Sequence, residues 1–208
     1  MKLGLFGGSF DPVHLGHLLV AQAAREELGL TRLYFVLAAQ SPFKPDRQPT
    51  PANERLRLLR LALAGQSWCE IDEQEIKRGG ISYTIDTVRD YGARFPEARL
   101  FYLIGADHVS QLPKWRDADD LARRVEFVVI PRPGQTEISP AAADPDAGAG
   151  NQAAAAQLPA PFRGRLLSGF PLGVSSSQIR ARVKAGLAID FLVPRPVAEA
   201  IRENRLYF

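Results

Sequence analysis

The chain has 208 residues, a length that suits one domain with a sizeable hydrophobic core. Hydrophobic residues make up 46% of it and charged residues 24%, proportions that exclude a disordered or fibrous protein. The formal charge is +3 with Lys and Arg scattered, so the sequence favours a small anionic ligand and predicts no nucleic-acid partner. The single cysteine excludes an intrachain disulfide and a cysteine-based metal cage. No signal peptide or transmembrane stretch is visible, so we expect a cytoplasmic protein with no membrane partner.

The first part of the chain alternates short apolar strands with helices. Residues 2–6 and 32–38 are nearly continuous apolar runs, typical of strands buried on both faces. An amphipathic stretch at 18–28 predicts the helix between them, and a helix from about residue 52 precedes a third strand at 68–71. Because strands and helices alternate, the sequence predicts right-handed crossovers in a parallel sheet.

The second part continues this alternation around one segment of different composition. Charged residues 73–78 are expected to be exposed. The elements predicted after them are a helix through 85–95, a strand at 99–104, a loop at 112–115, a helix at 117–124, strands at 125–130 and 163–168, and helices at 174–185 and 196–204. Residues 137–161 are rich in Ala, Gly, Pro and Asp without periodicity, which predicts a flexible surface insertion, with an interaction arm as the alternative. The predicted fold class is α/β, a doubly wound parallel sheet in one domain over 1–208, with a small C-terminal helical part.

The turn after the first strand carries the sequence GGSFDPVHLGH at residues 7–17. Strand, glycine turn and helix start form the arrangement in which backbone N–H groups and a helix dipole bind a phosphate. His14 and His17 are three residues apart and so share one helix face. Paired glycines alone are often only a tight turn. Their combination with Asp-Pro and two of the three histidines predicts a phosphate site.

A second phosphate-binding pattern, SSSQIR, lies far along the chain at residues 175–180. Serines suit the N-cap of the predicted helix, its first N–H groups suit a phosphate, and Arg180 adds a cation. A plain serine N-cap is the alternative. Lys44 lies in the loop after the second strand, at the edge of the sheet where α/β binding sites gather, although a solvated lysine fits the sequence equally well.

These segments, with two others between them, resemble an enzyme family. GGSFDPVHLGH is similar to the signature of the nucleotidyltransferases that carry a His-x-Gly-His motif. Within that superfamily, the stretches GGISYTIDT at 79–87, LPKW at 112–115 and SSSQIR resemble those of the bacterial nicotinate-nucleotide adenylyltransferases. The resemblance covers nearly the whole chain except the insertion. It departs at SPFK, residues 41–44, where the family often has Pro-Pro-His-Lys, so Phe43 cannot supply an imidazole.

The resemblance implies a Rossmann-like nucleotidyltransferase fold and transfer of the adenylyl group of ATP to nicotinate mononucleotide, with Mg²⁺ required. A phosphate monoester is already an anionic nucleophile, so no general base is needed. The implied catalytic residues are His14, His17, Lys44 and Arg180. The implied ATP-binding residues are Gly7, Gly8, Ser9, Phe10, His17, Gly105, Asp107, Arg132, Ser175, Ser176, Ile179 and Arg180. The implied acceptor-binding residues are Ser82, Tyr83, Thr84, Lys114 and Trp115, with the Trp115 ring stacked on the pyridine and Thr84 near its carboxylate.

Several alternatives stay open. An adenylyltransferase for nicotinamide mononucleotide or phosphopantetheine would carry the same phosphate motifs, and a non-catalytic nucleotide sensor could share the fold. An aminoacyl-tRNA synthetase fits poorly, because the chain is short and lacks a separate tRNA-binding region. No protein metal ligand is assigned, since such sites often hold Mg²⁺ through substrate phosphates and water. The sequence assigns no role to His108. It decides neither the preference for the acid over the amide acceptor nor whether the protein forms a homo-oligomer.

Overall fold

The computed structural model describes residues 1–40, 48–131, 154–155, 157–169 and 172–208. In chain order the elements are β1 (Lys2–Gly8), α1 (Leu15–Leu28), β2 (Arg32–Leu37), α2 (Ala52–Leu63), β3 (Cys69–Asp72), α3 (Gln74–Arg78), α4 (Thr84–Arg94), β4 (Arg99–Gly105), a 3₁₀ helix (Ala106–Lys114), α5 (Ala118–Arg124), β5 (Val125–Ile130), β6 (Ala154–Ala155), β7 (Gly164–Leu166), α6 (Ser176–Lys184) and α7 (Arg195–Glu203). No helix in these ranges has the length and apolar character needed to cross a membrane.

The strands form one sheet in the order β3-β2-β1-β4-β5-β7-β6. Every neighbouring pair is parallel except the short β6, which runs antiparallel to β7. The chain builds outward from β1 to β3 and then returns to add β4 on the other side of β1. The order therefore reverses between β1 and β4, and ligands of open α/β sheets bind beyond the carboxyl ends of the strands at such a point. The predicted α/β class with a parallel sheet is confirmed.

The sheet is buried between two hydrophobic clusters, one on each face. Side chains along its central strands alternate between the clusters, as the two-residue period of a strand requires. The first core cluster includes Phe35 of β2 and Phe101 of β4 and is covered by α1, α2, α6 and α7. The second core cluster includes Tyr34 and Tyr102 of the same strands and is covered by α4, α5 and the 3₁₀ helix. Burial on both faces explains why these strands are continuous apolar runs in the sequence.

The first helix begins earlier than its apolar periodicity indicates. His14 has extended backbone (φ −147°, ψ 170°) and is the N-cap, so α1 begins at Leu15 rather than near residue 18. The helix ends at Gly29, whose left-handed conformation (φ 61°) closes it. The first turn is missed by periodicity because it faces a cleft rather than the core.

Three further predictions about local structure were wrong. Residues 73–78, expected to be exposed, contain α3; Lys77 and Arg78 are exposed as expected, but Glu75 is only 4% exposed, and its carboxylate accepts a hydrogen bond from Thr87 Oγ1 (2.6 Å). Residues 112–115, expected as a loop, include the end of the 3₁₀ helix, with Leu112 fully buried. Strand β6 lies inside the segment where no strand was predicted; residues 137–153 and 156 of that segment lie outside the described residues.

Candidate active site

A cleft of about 850 Å³ opens at the carboxyl edge of the sheet, where β1 and β4 end. Its lining includes almost every described residue that the sequence assigned to a site: Gly7, Gly8, Ser9, Phe10, His14, His17, Ser82, Tyr83, Thr84, Gly105, Asp107, Lys114, Trp115, Ser175, Ser176 and Arg180. Phe43, Lys44 and Arg132 lie outside the described residues, and their roles stay predictions. Segments distant in the sequence thus meet in one cavity.

The turn between β1 and α1 forms one part of the lining. A Cβ at Gly7 would lie 2.3 Å from the Tyr102 hydroxyl, so a larger residue there would force the Tyr102 side chain to move. Phe10 has a left-handed backbone (φ 44°) that non-glycine residues rarely adopt. Its buried ring packs edge-on against the rings of His17 and Phe6, with centroids 5.0 and 5.5 Å apart. Aromatic packing therefore holds the turn in a conformation that the local sequence alone would not favour.

The two histidines of the turn stack on each other, with ring centroids 3.6 Å apart. The backbone N–H of His14 donates to Nδ1 of His17 (3.2 Å). Because that nitrogen accepts, the proton of the neutral His17 ring is on Nε2, and Nε2–H is the group that His17 can donate. Nδ1 of His14 is buried and has no hydrogen-bond partner in the part of the chain that the structure describes. The pair thus places its imidazole nitrogens at the start of α1, in the lining of the cleft.

Burial controls the charge of both rings. It lowers the pKa of His14 to about 4. Burial, with a smaller contribution from His14, lowers the pKa of His17 well below its ordinary value. Both rings are therefore neutral at pH 7, and a hydrogen bond from either ring to an anion strengthens as negative charge builds on that anion.

The lowered pKa of His14 predicts a loss of stability in acid. The unfolded chain binds a proton on this ring near pH 6.5 and the folded chain only near pH 4, so acid favours the unfolded state between these values. The neutral His14 ring therefore costs the fold no stability above pH 6.5, and the free energy of unfolding falls as the pH drops from 6.5 towards 4. We expect His14→Gln to reduce the acid loss of unfolding free energy between pH 7 and 4.5 by on the order of 2 kcal/mol, measured by urea unfolding. Equal losses in His14→Gln and wild type would contradict this account.

The start of α6 lies directly beside the turn. Ser175 is the N-cap of this helix: its Oγ accepts from the backbone N–H of Gln178 (3.3 Å), and the Gln178 side chain accepts from the backbone N–H of Ser175 (2.9 Å). This reciprocal capping confirms the helix start predicted from the serines. Oγ of Ser176 donates to the backbone carbonyl of Pro12 (2.9 Å), 164 positions away in the sequence. The two phosphate-binding patterns therefore share one continuous surface.

Arg180 continues that surface one turn into α6. Its guanidinium donates to the backbone carbonyl of Asp11 and lies 3.9 Å from the Asp11 carboxylate. Only 18% of the Arg180 side chain is exposed, so its orientation is constrained. Ile179, predicted as an ATP contact, is fully buried in the first core cluster and does not line the cleft, and its backbone N–H donates to the carbonyl of Ser175 (3.1 Å).

Another part of the lining is the segment that leads into α4. The backbone N–H of Ala39 donates to Oγ of Ser82, and the backbone N–H of Ser82 donates to the carbonyl of Gln40, each at 2.9 Å. Oγ1 of Thr84, the first residue of α4, donates to the Tyr102 hydroxyl (3.3 Å). The segment is thus fixed to the end of β2 and to β4, and it presents hydroxyl and amide groups near a helix N-terminus, which suits an anion.

Trp115 follows the 3₁₀ helix in the same region. Its ring packs edge-to-face with Tyr102 and Phe127, with centroids 6.3 and 6.2 Å apart. The neighbouring Arg116 guanidinium lies 4.7 Å from the centroid of the Tyr83 ring. Lys114, at the end of the 3₁₀ helix, is exposed. A held aromatic side chain with cations beside it suits a flat, negatively charged ring.

Gly105 and Asp107 line the cleft where β4 ends. A Cβ at Gly105 would lie 2.5 Å from the Asp107 carboxylate, so glycine lets that carboxylate fold back over the strand end. His108, which received no role from the sequence, also lines the cleft, with its ring centroid 6.5 Å from that of Trp115. No group of three or more His, Cys, Asp or Glu side chains in the described ranges could hold a metal ion.

Sequence reasoning missed Arg55 of α2, which organises the base of the cleft. It is 1% exposed, and its guanidinium donates to the backbone carbonyls of Ser9, Ala38 and Thr50, each at 2.8 Å. It thereby connects the phosphate turn to the end of β2. One signal could have revealed it: its third and fourth neighbours along the helix are buried leucines, which places this arginine on the apolar face.

Known proteins resemble this chain along its whole length. The model of the family described as cytidylyltransferase-like matches residues 5–182. A protein of Opitutus terrae is 40% identical over 207 residues, which is 100% of this chain and 98% of that protein. One of Gemmatimonas aurantiaca is 42% identical over 207 residues, which is 100% of this chain and 92% of that protein. Both carry the name "probable nicotinate-nucleotide adenylyltransferase".

Solved structures share the fold at lower sequence identity. A Plasmodium falciparum nicotinic acid mononucleotide adenylyltransferase complexed with NaAD superposes with a TM-score of 0.73 at 16% identity, over 99% of this chain and 97% of that one. The same enzyme complexed with APC gives a TM-score of 0.71 at 16% identity, over 99% and 96%. These structures establish the α/β architecture of the present chain.

Proposed function

Since this chain belongs to the nicotinate-nucleotide adenylyltransferase family of nucleotidyltransferases, we propose that it transfers the adenylyl group of ATP to nicotinate mononucleotide. The products are nicotinate adenine dinucleotide and pyrophosphate, a step in the biosynthesis of NAD. Within the cleft, we assign the triphosphate to the turn between β1 and α1 together with the start of α6. We assign the pyridine ring to Thr84 and Trp115.

The reaction requires little covalent chemistry from the protein. A phosphate oxygen of the mononucleotide attacks the α-phosphorus of ATP, a new P–O bond forms, and the bond to the β-phosphate oxygen breaks to release pyrophosphate. The nucleophile is already anionic, so catalysis depends on positioning and on stabilising the charge that develops on the α-phosphate oxygens. The Nε2–H of His17 and the guanidinium of Arg180 are donors suited to that charge, and neither ring of the histidine pair needs to act as a base.

One observation carries the proposal: the turn and the start of α6 line one cleft, joined by the hydrogen bond from Ser176 to Pro12. A triphosphate needs several donors on one surface, and these two helix starts provide them. The acceptor residues line the same cleft but belong to other elements. This placement supports a two-substrate reaction in which one phosphate reaches another.

We assign the divalent ion to the substrate rather than to a protein site. The described residues offer no cluster of three acidic, histidine or cysteine side chains. Mg²⁺ commonly enters such sites on triphosphate oxygens and water, where it neutralises the leaving pyrophosphate. Three statements stay predictions from the sequence: a cytoplasmic location, a single domain over 1–208, and the absence of nucleic-acid and membrane partners. Whether the protein forms a homo-oligomer is a separate question for measurement.

Pyrophosphate release with three acceptors tests the proposed function. Purified protein with Mg-ATP should release pyrophosphate on adding nicotinate mononucleotide, and more slowly with nicotinamide mononucleotide or phosphopantetheine at equal concentration. Faster release with either of the last two would reassign the acceptor. ATP binding without release on any acceptor would favour a nucleotide sensor.

Substitution of Trp115 tests the acceptor site. We expect Trp115→Ala to raise KM for nicotinate mononucleotide at least about fivefold, because stacking of an aromatic side chain on a heterocycle contributes about 1–3 kcal/mol. The Kd of a non-hydrolysable ATP analogue, measured without acceptor, should change less than about twofold, since Trp115 belongs to the acceptor side of the cleft. Trp115→Phe keeps an aromatic face and should recover most of the loss. An equal rise of KM for both substrates would contradict the assignment.

A further inference from the structure

The residues that follow α7 reach back to the phosphate turn. Tyr207 Oη donates a hydrogen bond to the Asp11 carboxylate (2.9 Å), although the two residues are 196 positions apart. Tyr207 also packs against the first core cluster. Neither Tyr207 nor Asp11 was assigned a role by the sequence, and the proposed reaction does not use their side chains.

The backbone at Arg205 and at Tyr207 itself has an unfavourable conformation in the segment that makes this contact. Arg205 and Tyr207 both have left-handed backbones (φ 48° and 70°), which residues with a Cβ seldom adopt. The backbone N–H of Leu206 donates to the carbonyl of Ile201 (3.0 Å), which ties the segment to α7. Two such residues within three positions persist only where the surrounding contacts determine them, and such sites cluster near ligands.

Asp11 links Tyr207 to the cation of the phosphate site. Its carboxylate accepts from the backbone N–H of Thr50 (3.3 Å) on one oxygen and from Tyr207 on the other, and the residue is only 5% exposed. The backbone carbonyl of the same residue accepts from Arg180. Asp11 therefore contributes, through its backbone carbonyl and its nearby carboxylate, to the orientation of the Arg180 guanidinium. Burial, then the adjacent carboxylate, raises the pKa of Tyr207, so its hydroxyl stays protonated and remains a donor.

We propose that Tyr207 is a positioning residue for the triphosphate: its hydroxyl holds Asp11, and Asp11 holds Arg180 in the orientation that contacts ATP. This inference rests on the proposed function for the location of the triphosphate. It adds that the segment after α7 contributes to nucleotide affinity without touching the nucleotide.

A double-mutant cycle tests the proposal, with the Kd of a non-hydrolysable ATP analogue measured by calorimetry. We expect Tyr207→Phe to raise this Kd at least about threefold, because it removes a hydrogen bond to a charged group. In an Arg180→Ala background the same change should raise Kd less than about 1.5-fold, since the effect is transmitted through Arg180. A smaller rise than threefold in the wild-type background, or equal rises in both backgrounds, would overturn the proposal.

Tyr91→Phe is the matched control for stability. The Tyr91 hydroxyl donates to the Asp72 carboxylate between α4 and β3, and neither residue lines the cleft. The Tyr91→Phe variant therefore loses the same kind of tyrosine–carboxylate hydrogen bond. It should lower the free energy of unfolding while leaving the Kd of the ATP analogue within about twofold of wild type. Pyrophosphate release by the wild-type protein tests the proposed function separately. A wild type that releases pyrophosphate beside a Tyr207→Phe variant with unchanged Kd would refute only the role of Tyr207.

Discussion

His17→Ala is expected to lower kcat by about 10²–10³-fold while raising the Kd of a non-hydrolysable ATP analogue less than about tenfold. The reason is the donor direction of the ring. His17 Nδ1 accepts from the His14 backbone, which leaves Nε2–H for the substrate, and a neutral donor gains most when charge develops in the transition state. The measurement is single-turnover release of pyrophosphate at saturating substrates, beside calorimetric binding of the analogue.

Two further variants separate chemistry from folding in that experiment. His17→Gln keeps an N–H donor on a side chain of similar reach and should fall between wild type and His17→Ala. His108→Ala removes an imidazole from another part of the cleft, where the sequence predicts no role, and should lower kcat less than about tenfold. If His17→Ala and His108→Ala lowered kcat equally, the assignment of His17 would be wrong. Melting temperatures of all three variants control for unfolding.

Arg55→Leu is expected to lower the free energy of unfolding by about 3–5 kcal/mol, the usual cost of breaking a buried charged network. The change leaves the carbonyls of Ser9, Ala38 and Thr50 without the donor they have in the native protein. Burial lowers the pKa of Arg55, and attraction to the Asp11 carboxylate partly offsets this. Removing Arg55 would therefore also take a nearby cation away from Asp11. Urea unfolding at pH 7 measures the loss.

Arg57→Leu is the comparison for Arg55, because it lies on the same helix with 47% of its side chain exposed. Its loss should be less than about 1 kcal/mol, as for other exposed charges. Arg55→Lys keeps the charge but not the planar fork of donors, and should recover only part of the stability. Equal losses in Arg55→Leu and Arg57→Leu would show that the carbonyl contacts contribute little.

The parallel sheet and the start of α6 could be predicted from the sequence because each has a local cause. A strand buried on both faces is apolar over most of its length, and β2, β4 and β5 each have a single charged residue near the start, Arg32, Arg99 and Glu126. The capping box at Ser175 needs only residues three positions apart. The site residues at Thr84 and Trp115 came from the family resemblance, because nothing in their own spacing distinguishes them from other polar or aromatic residues.

The buried polar residues could not be predicted, because their partners are distant in the sequence. Glu75 lies in a charged stretch that is typical of a surface, and its burial is compatible with its charge only because Thr87 on α4 and Ser82 hydrogen-bond to its carboxylate. Tyr207 finds Asp11 across nearly the whole chain. Strand β6 has two residues, too few for a period of two to be detected. Such contacts depend on the tertiary fold rather than on propensity.

The residues that we assign to the triphosphate and to the acceptor come largely from opposite faces of the sheet. Helices α1 and α6, which carry His17 and Arg180 of the proposed triphosphate site, are packed in the first core cluster. Helix α4 and the 3₁₀ helix, which carry Thr84 and Lys114 of the proposed acceptor site, are packed in the second. The 3₁₀ helix also carries Asp107, which is expected to bind ATP. The two layers share only the strands of the sheet between them, which send alternate side chains to each cluster. A nucleotidyltransferase built this way can evolve a new acceptor while it keeps its nucleotide donor, because selection can act on each layer separately.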